Sequence, residues 1–564
     1  MKILKETLKH WHARWPHLMP IIFLLAVAGF ARFAGLHFLP GGLFPDEAAN
    51  GLDVNAILSG DLKPFYERGN GREALFFYLL APFVWLFGRS PFAHHFVSAG
   101  VGTLIVLLTY LLAKRWFTAR LAFVAALFAA TSAWHITLSR TAFRANTAPL
   151  FALLFFYFAT RVVQAKTRLE YWLSAILTGL SFGLGFYTYI SYRMMIPLVA
   201  MTALLLLAID LRSRPKWQLL KKYWRAAVAG MAAFGLSISW LVLFFGQNPE
   251  WLTGRSGQIS IFSPSLNNGD VWGTFGQVAI KTLAGFVSAG DLNWRHNVSG
   301  FPFLSPFVAP FWILGLLFLI IQSAIFVFKA LKRPAGDMAY KTNLMRLPFF
   351  LLTAWFGLML VPELLTAEGI PHGLRLIGVI PAVFIIPALA IIEIIGELPH
   401  LKFRFSKFRR RAANLALIIF LGGSGLYGLQ TYFGTAGNSA EYAYAFRSDL
   451  TVVSDYLNAR DRKQKTYLVL DWFSQQSTEY LTTQTNQPYR VIDPETLWSG
   501  PQKVRLGRFA DEEIGLRLAA GDQVIFAQST VYDSRAFEKF FPEAKLILKE
   551  RNRFNEVIMM VYEY

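Results

Sequence analysis

The residues able to do chemistry in this chain fall at the borders of apolar runs and in the polar segments between them. The first is Asp46, in Phe44-Pro45-Asp46-Glu47-Ala48, where a carboxylate would take the proton of an attacking hydroxyl. An Asp after Pro and before a helical run also reads as an N-cap. The two roles are compatible, since helix-end amides keep a carboxylate ionised. Arg72-Glu73 offers a second acid that would orient an acceptor, or a charge that anchors a helix start. In Pro371-His372-Gly373-Leu374-Arg375, the Arg and His would hold a phosphate and stabilise it as a leaving group. The alternative for Arg375 is a side chain reaching to an interface. Arg295-His296-Asn297 supplies similar donors, and Ser139-Arg140 and Arg144 add cations with less positional support. The absence of Cys excludes a thiol nucleophile, disulfides and thiolate metal sites. No His/Asp spacing along the chain has metal-ligand geometry.

The elements that must position these groups are membrane spans. Apolar residues make up 54% of the 564 residues and charged residues 16%, against about 25% in soluble domains. With 52 Phe, 21 Tyr and 16 Trp, the chain reads as a polytopic α-helical membrane protein. Runs long enough to span fall near 20–39, 92–113, 119–138, 147–164, 171–190, 194–209, 226–246, 306–328, 347–364, 376–397 and 412–431. The first could also be a cleavable signal segment, with Lys-rich 1–19 and Ala26-Val27-Ala28. Its apolar character resumes as far as Phe38, and the loop charges fit eleven spans better than ten.

The net charge of +20 sits in alternate loops. Segments 1–19, 114–120, 161–170, 210–225, 329–346 and 397–411 hold 27 Lys and Arg. The tail 432–564 holds 16 Lys and Arg and 18 Asp and Glu. This is a positive-inside pattern rather than a nucleic-acid surface. It places the N-terminus in the cytoplasm and the tail outside a plasma or inner membrane. Outer loops 40–91 and 247–305 are longer than connectors need to be. Within the first, Ala74–Gly88 is too short to cross and contains Pro82, which predicts an interfacial or re-entrant helix. The expected domains are therefore a membrane part, 1–431, and an extracytoplasmic α/β tail, 432–564. In the tail, strands are predicted at 467–471, 489–493, 523–527, 546–548 and 557–562, and helices at 450–458 and 512–518. The alternation suggests a mostly parallel sheet.

Several of these features together resemble the dolichyl-phosphate-mannose–protein mannosyltransferase superfamily, whose bacterial members include lipid A aminoarabinose transferases. They are an Arg-containing first span, Pro40, Phe44-Pro45-Asp46-Glu47-Ala48, Asn50-Gly51, Gly71-Arg72-Glu73 before a run ending Leu86-Phe87-Gly88, and the Pro-His-x-x-Arg stretch ending at Arg375. The resemblance covers roughly 20–400, and the tail carries no matching motif. It implies a GT-C fold of about 11 transmembrane helices and an inverting transfer from a polyprenyl-phosphate-linked sugar to an acceptor hydroxyl. Asp46 would be the general base, and Glu47 and Glu73 would shape the donor and acceptor site. His372 and Arg375 would hold the lipid phosphate, with Arg295, His296 and Arg144 as further substrate contacts. The implied partners are the lipid-linked donor, an acceptor protein, lipid or glycan, and membrane lipids. Neither a cofactor nor a catalytic metal is implied. One departure concerns the start of the fourth span. Many relatives carry an acid there, where this chain reads Arg144-Ala145-Asn146-Thr147-Ala148-Pro149. A lipid-linked glycan polymerase or ligase also uses outer Arg and His but need not carry Asp-Glu after the first span. A transporter of lipid-linked glycans would tolerate substitution of Asp46.

Overall fold

The computed structural model describes residues 2–212, 217–252, 259–332, 345–397, 407–460, 464–482, 489–505 and 513–564. A helix occupies each of the eleven apolar runs, so the helical membrane class stands. Among the described residues, seven helices are long and apolar enough to cross a bilayer, or eight if one bent pair forms a single span. The difference from eleven has local causes. In the first run the apolar part of the helix is Leu18–Phe33 and turns follow it. The helix Arg168–Gly185 becomes apolar only after Glu170. The tenth run is divided at Pro381, between a 3-10 turn Arg375–Val379 and the helix Ala382–Glu397. The short helix expected before Gly88 is present as Leu75–Phe87, with Pro82 inside it. Of the loop 397–411, residues 398–406 lie outside the described residues.

The bent pair, Ala119–Thr131 and Ala133–Arg140, turns by 60° at Ser132. The carbonyls that end the first half need donors. Arg32, fully buried, donates to Ala129 O at 3.1 Å and Ala130 O at 3.0 Å. Arg140 returns the arrangement, donating to Arg32 O at 2.9 Å and Ala31 O at 3.3 Å at the end of the helix Lys2–Phe33. Its guanidinium also lies over the rings of Tyr432 and Phe433. Two buried arginines thus serve as reciprocal helix caps. Elsewhere, helices Arg168–Gly185 and Gln218–Gln247 touch backbone to backbone, and a Cβ at Gly179 would come within 2.0 Å of Gly230 O.

The chain forms two compact units. One comprises residues 1–34, 63–76 and 98–436, the other 35–62, 77–97 and 437–564. The second unit is built on a five-stranded sheet in the order Tyr489–Ile492, Thr466–Val469, Gln523–Ala527, Val557–Glu563, Lys545–Arg551. The pairings of Thr466–Val469 are parallel, whereas both pairings of Val557–Glu563 are antiparallel, so the sheet is mixed rather than mostly parallel. Alternate side chains feed two cores. Val469, Phe526 and Tyr562 meet Phe537 of the helix Ser534–Phe540, while Leu468, Ile525 and Val561 meet Leu450 and Val453 of the helix Ser448–Ala459. The helix expected at 512–518 is not formed. Glu513–Ile514 pairs as a strand with Val504–Arg505, and Glu512 is outside the described residues.

Within this unit the segment 35–62 packs into the C-terminal fold. Leu43 and Ala48 form one small core with Tyr480 and Leu481, and Ser477 Oγ donates to Leu43 O at 2.8 Å. Gly51 faces the Tyr480 ring so closely that a Cβ there would approach it to 2.4 Å.

Candidate active site

The helix Pro45–Leu58 begins with Pro at its first position, which places Asp46 and Glu47 in its first turn. The expectation that Asp46 caps the helix is corrected here. Phe44 is the capping residue, and it is Glu47 whose carboxylate reaches back to accept from Phe44 N–H at 3.1 Å. The other Glu47 oxygen lies 3.2 Å from His95 Nε2, and both side chains are fully buried. Asp46 is exposed. Glu47 therefore anchors the helix, and Asp46 is the carboxylate of the pair that faces solvent.

The remaining candidates belong to the other unit. Glu73 lies in the short strand Arg72–Glu73, which pairs with Phe65–Tyr66. It is buried and accepts from Arg144 Nε at 3.1 Å. The Arg144 guanidinium also lies over the Tyr189 ring. These two sequence candidates are brought together as an ion pair, so Arg144 reaches the acid that precedes the helix Leu75–Phe87.

The second grouping joins the loop after Gly290 to the segment 363–375. Asp291 accepts from Gly373 N–H at 2.8 Å and from His296 Nδ1 at 3.0 Å through one oxygen, and from Asn293 N–H at 2.8 Å through the other. Trp134 Nε1 donates to Gly373 O at 3.2 Å, which fixes the same loop from its other side. The His296 and His372 rings stack with centroids 4.3 Å apart. Burial pulls the His296 pKa below the usual value; its hydrogen bond to Asp291 and that carboxylate's charge oppose this, and the cations Arg295 and Arg375 add to it. Arg295 is half-buried, and its carbonyl accepts from Thr141 Oγ1 at 3.3 Å. The backbone N–H of His372 donates to Glu363 at 2.8 Å. Arg375 is buried to 9% exposure, donates to Glu368 O and lies 3.5 Å from the Glu368 carboxylate. Asp291 was not among the residues singled out from sequence. An Asp two residues before an Asn and five before a His is a weak turn signal, and nothing local connects it to Gly373.

Residues 74–240 match the model of the family described as dolichyl-phosphate-mannose-protein mannosyltransferase. The resemblance read from the sequence thus has a family match over this segment, which begins after Glu73 and ends before His372 and Arg375. The matched segment holds the ion-paired Arg144 and the bend at Ser132, and ends before Asp291. Curated protein sequences give no match. Solved structures similar to the chain include an Archaeoglobus fulgidus oligosaccharyltransferase tethered to an acceptor peptide. It is 14% identical at a TM-score of 0.48, with 84% of this chain and 64% of that chain covered. The chain thus spans about two thirds of that enzyme's length. ArnT from Cupriavidus metallidurans, bound to undecaprenyl phosphate, is 12% identical at a TM-score of 0.47, with 97% and 98% covered.

Proposed function

We propose that this chain is a multi-pass membrane glycosyltransferase that moves a sugar from a polyprenyl-phosphate-linked donor to an acceptor hydroxyl on the extracytoplasmic face, with inversion. Asp46 takes the acceptor proton as its oxygen bonds to the anomeric carbon. The carbon–oxygen bond to phosphate breaks, and its electron pair leaves with the lipid phosphate. Arg375 and His372 receive that charge. A phosphate ester is already a good leaving group, so one carboxylate suffices. Glu73, held by Arg144, shapes the acceptor side.

The observation that carries this reading is the division of labour in the first turn of Pro45–Leu58. One carboxylate is buried and used structurally, while its neighbour is presented to solvent. The family match over 74–240 supports the reaction class. The test is transfer by the purified chain from a defined polyprenyl-phosphate sugar, together with mass spectrometry of lipid and protein glycans from wild-type and deletion cells. Loss of one glycan form in the deletion identifies the sugar and acceptor. Unchanged glycans, with movement of the lipid-linked sugar across the bilayer, would replace transfer with transport. A longer lipid-linked glycan as product would indicate a polymerase.

A further inference from the structure

Asp291, His296 and His372 reach one point from two loops, and a donor atom from each lies within 4.8 Å of the others. Both histidines turn Nδ1 toward the same carboxylate oxygen, His296 at 3.0 Å and His372 at 3.9 Å. The edges of a zinc coordination tetrahedron with bonds of about 2.0–2.1 Å are roughly 3.3 Å, so small side-chain rotations bring the three donors to ligating distance.

The surroundings give a second, independent reason. Glu363 is fully buried. One of its oxygens accepts from His372 N–H, and the other has no hydrogen-bond partner among the described residues. A buried oxygen left without a partner beside the loop that carries His372 is a place for a further donor or cation. The Arg375 guanidinium is engaged with Glu368.

We propose that Asp291, His296 and His372 bind a divalent transition-metal ion of the zinc type, with Glu363 as the adjoining carboxylate. Two imidazole nitrogens and one carboxylate oxygen suit such an ion and leave coordination positions open. On binding, the metal–nitrogen bond replaces the proton that His296 Nδ1 gives to Asp291, and that proton goes to solvent. On the proposed transfer reaction, on which this role rests, an open position would take a phosphate oxygen of the donor. His372 would then act on the phosphate through the ion.

The test uses the full chain in detergent, stripped by a chelator, dialysed against zinc and measured by elemental mass spectrometry. Wild type is expected to retain one equivalent of zinc. Asp291→Asn and His296→Gln are expected to lose affinity by at least about tenfold, while His37→Gln, in the other unit, keeps it. Cobalt loaded into wild type should give visible bands of a nitrogen- and oxygen-ligated site, a readout that needs no variant to fold. Zinc retention no greater than in Asp291→Asn, or a cobalt spectrum equal to the free ion, overturns the site. Transfer measured on the same samples separates the two ideas. Transfer without zinc uptake rejects the metal and keeps the enzyme, whereas zinc uptake without transfer keeps the site and rejects the reaction.

Discussion

Asp46 and Glu47 are neighbours in sequence and opposites in setting. Asp46→Asn leaves the Glu47 bond to Phe44 untouched, so folding and membrane abundance should be unchanged. Removing a positioned base costs ~10²–10⁴-fold, and transfer by purified, monodisperse variant should fall by that amount. Near-normal transfer would reject the base assignment. Glu47→Gln removes a buried carboxylate that accepts from Phe44 N–H and faces His95. It should lower stability by about 1–3 kcal/mol, read as a lower melting temperature in detergent. At Arg375, substitution by Ala removes a charged donor worth ~1.5–3 kcal/mol, or ~10–150-fold in rate. Lys should recover only part, because it lacks the planar fork. Unchanged turnover of Arg375→Ala at matched protein level would leave Arg375 as a partner of Glu368 alone. The carboxylate pair was legible because Pro45-Asp46-Glu47 is contiguous. Asp291 was not, because its meaning lies in Gly373, 82 residues away.

At the scale of elements, apolar length alone placed the helices, since each span must satisfy its own backbone in lipid. Where helices break was not legible. The 60° turn depends on Arg32 arriving from another helix to take the carbonyls of Ala129 and Ala130. Arg32→Met strips the donor of Ala130 O, while His135 Nδ1 stays 2.9 Å from Ala129 O, so the cost is that of one buried group, about 1–3 kcal/mol. A thermal melt in detergent should show it, and an unchanged melt would mean that another donor reaches that carbonyl. Helix Pro45–Leu58 makes a steric prediction through its contact with Tyr480. Gly51→Ala forces a methyl into that ring, with an overpacking cost of ~1–3 kcal/mol. Shortening the ring by Tyr480→Leu in the same chain should restore stability and transfer together. If the double variant is no better than Gly51→Ala, the contact does not set the helix position. In the tail, the strand runs were legible from their β-branched and aromatic residues. The segment after Glu512 was not, because two residues pairing with Val504–Arg505 carry no periodicity to read.

For the whole molecule, the uneven placement of Lys and Arg is the guide to orientation. The 27 cations of one set of segments predict a cytoplasmic N-terminus and an outer tail. A reporter fused after Tyr564 should therefore be active only outside the cytoplasm. Activity inside would move Asp46, His372 and Arg375 to the wrong side for a donor displayed outward, and the proposed reaction would fall with it. The fold class was readable at this scale because composition decides it. The membership of the second unit was not, since 35–62 and 77–97 join 437–564 only through tertiary contacts.

The seat of Asp46 also sets an order of manufacture. Leu43 and its partner Ser477 are 434 residues apart. At ribosomal rates of about 5–20 residues per second, roughly 20–90 s separate the emergence of the helix from that of the residues that hold it. During that interval nascent chain can enter the membrane, but the helix Pro45–Leu58 lacks Tyr480 and Leu481 to rest on. A polypeptide truncated by stalled translation or proteolysis before Ser477 therefore lacks the residues that seat the helix Pro45–Leu58 and its Asp46.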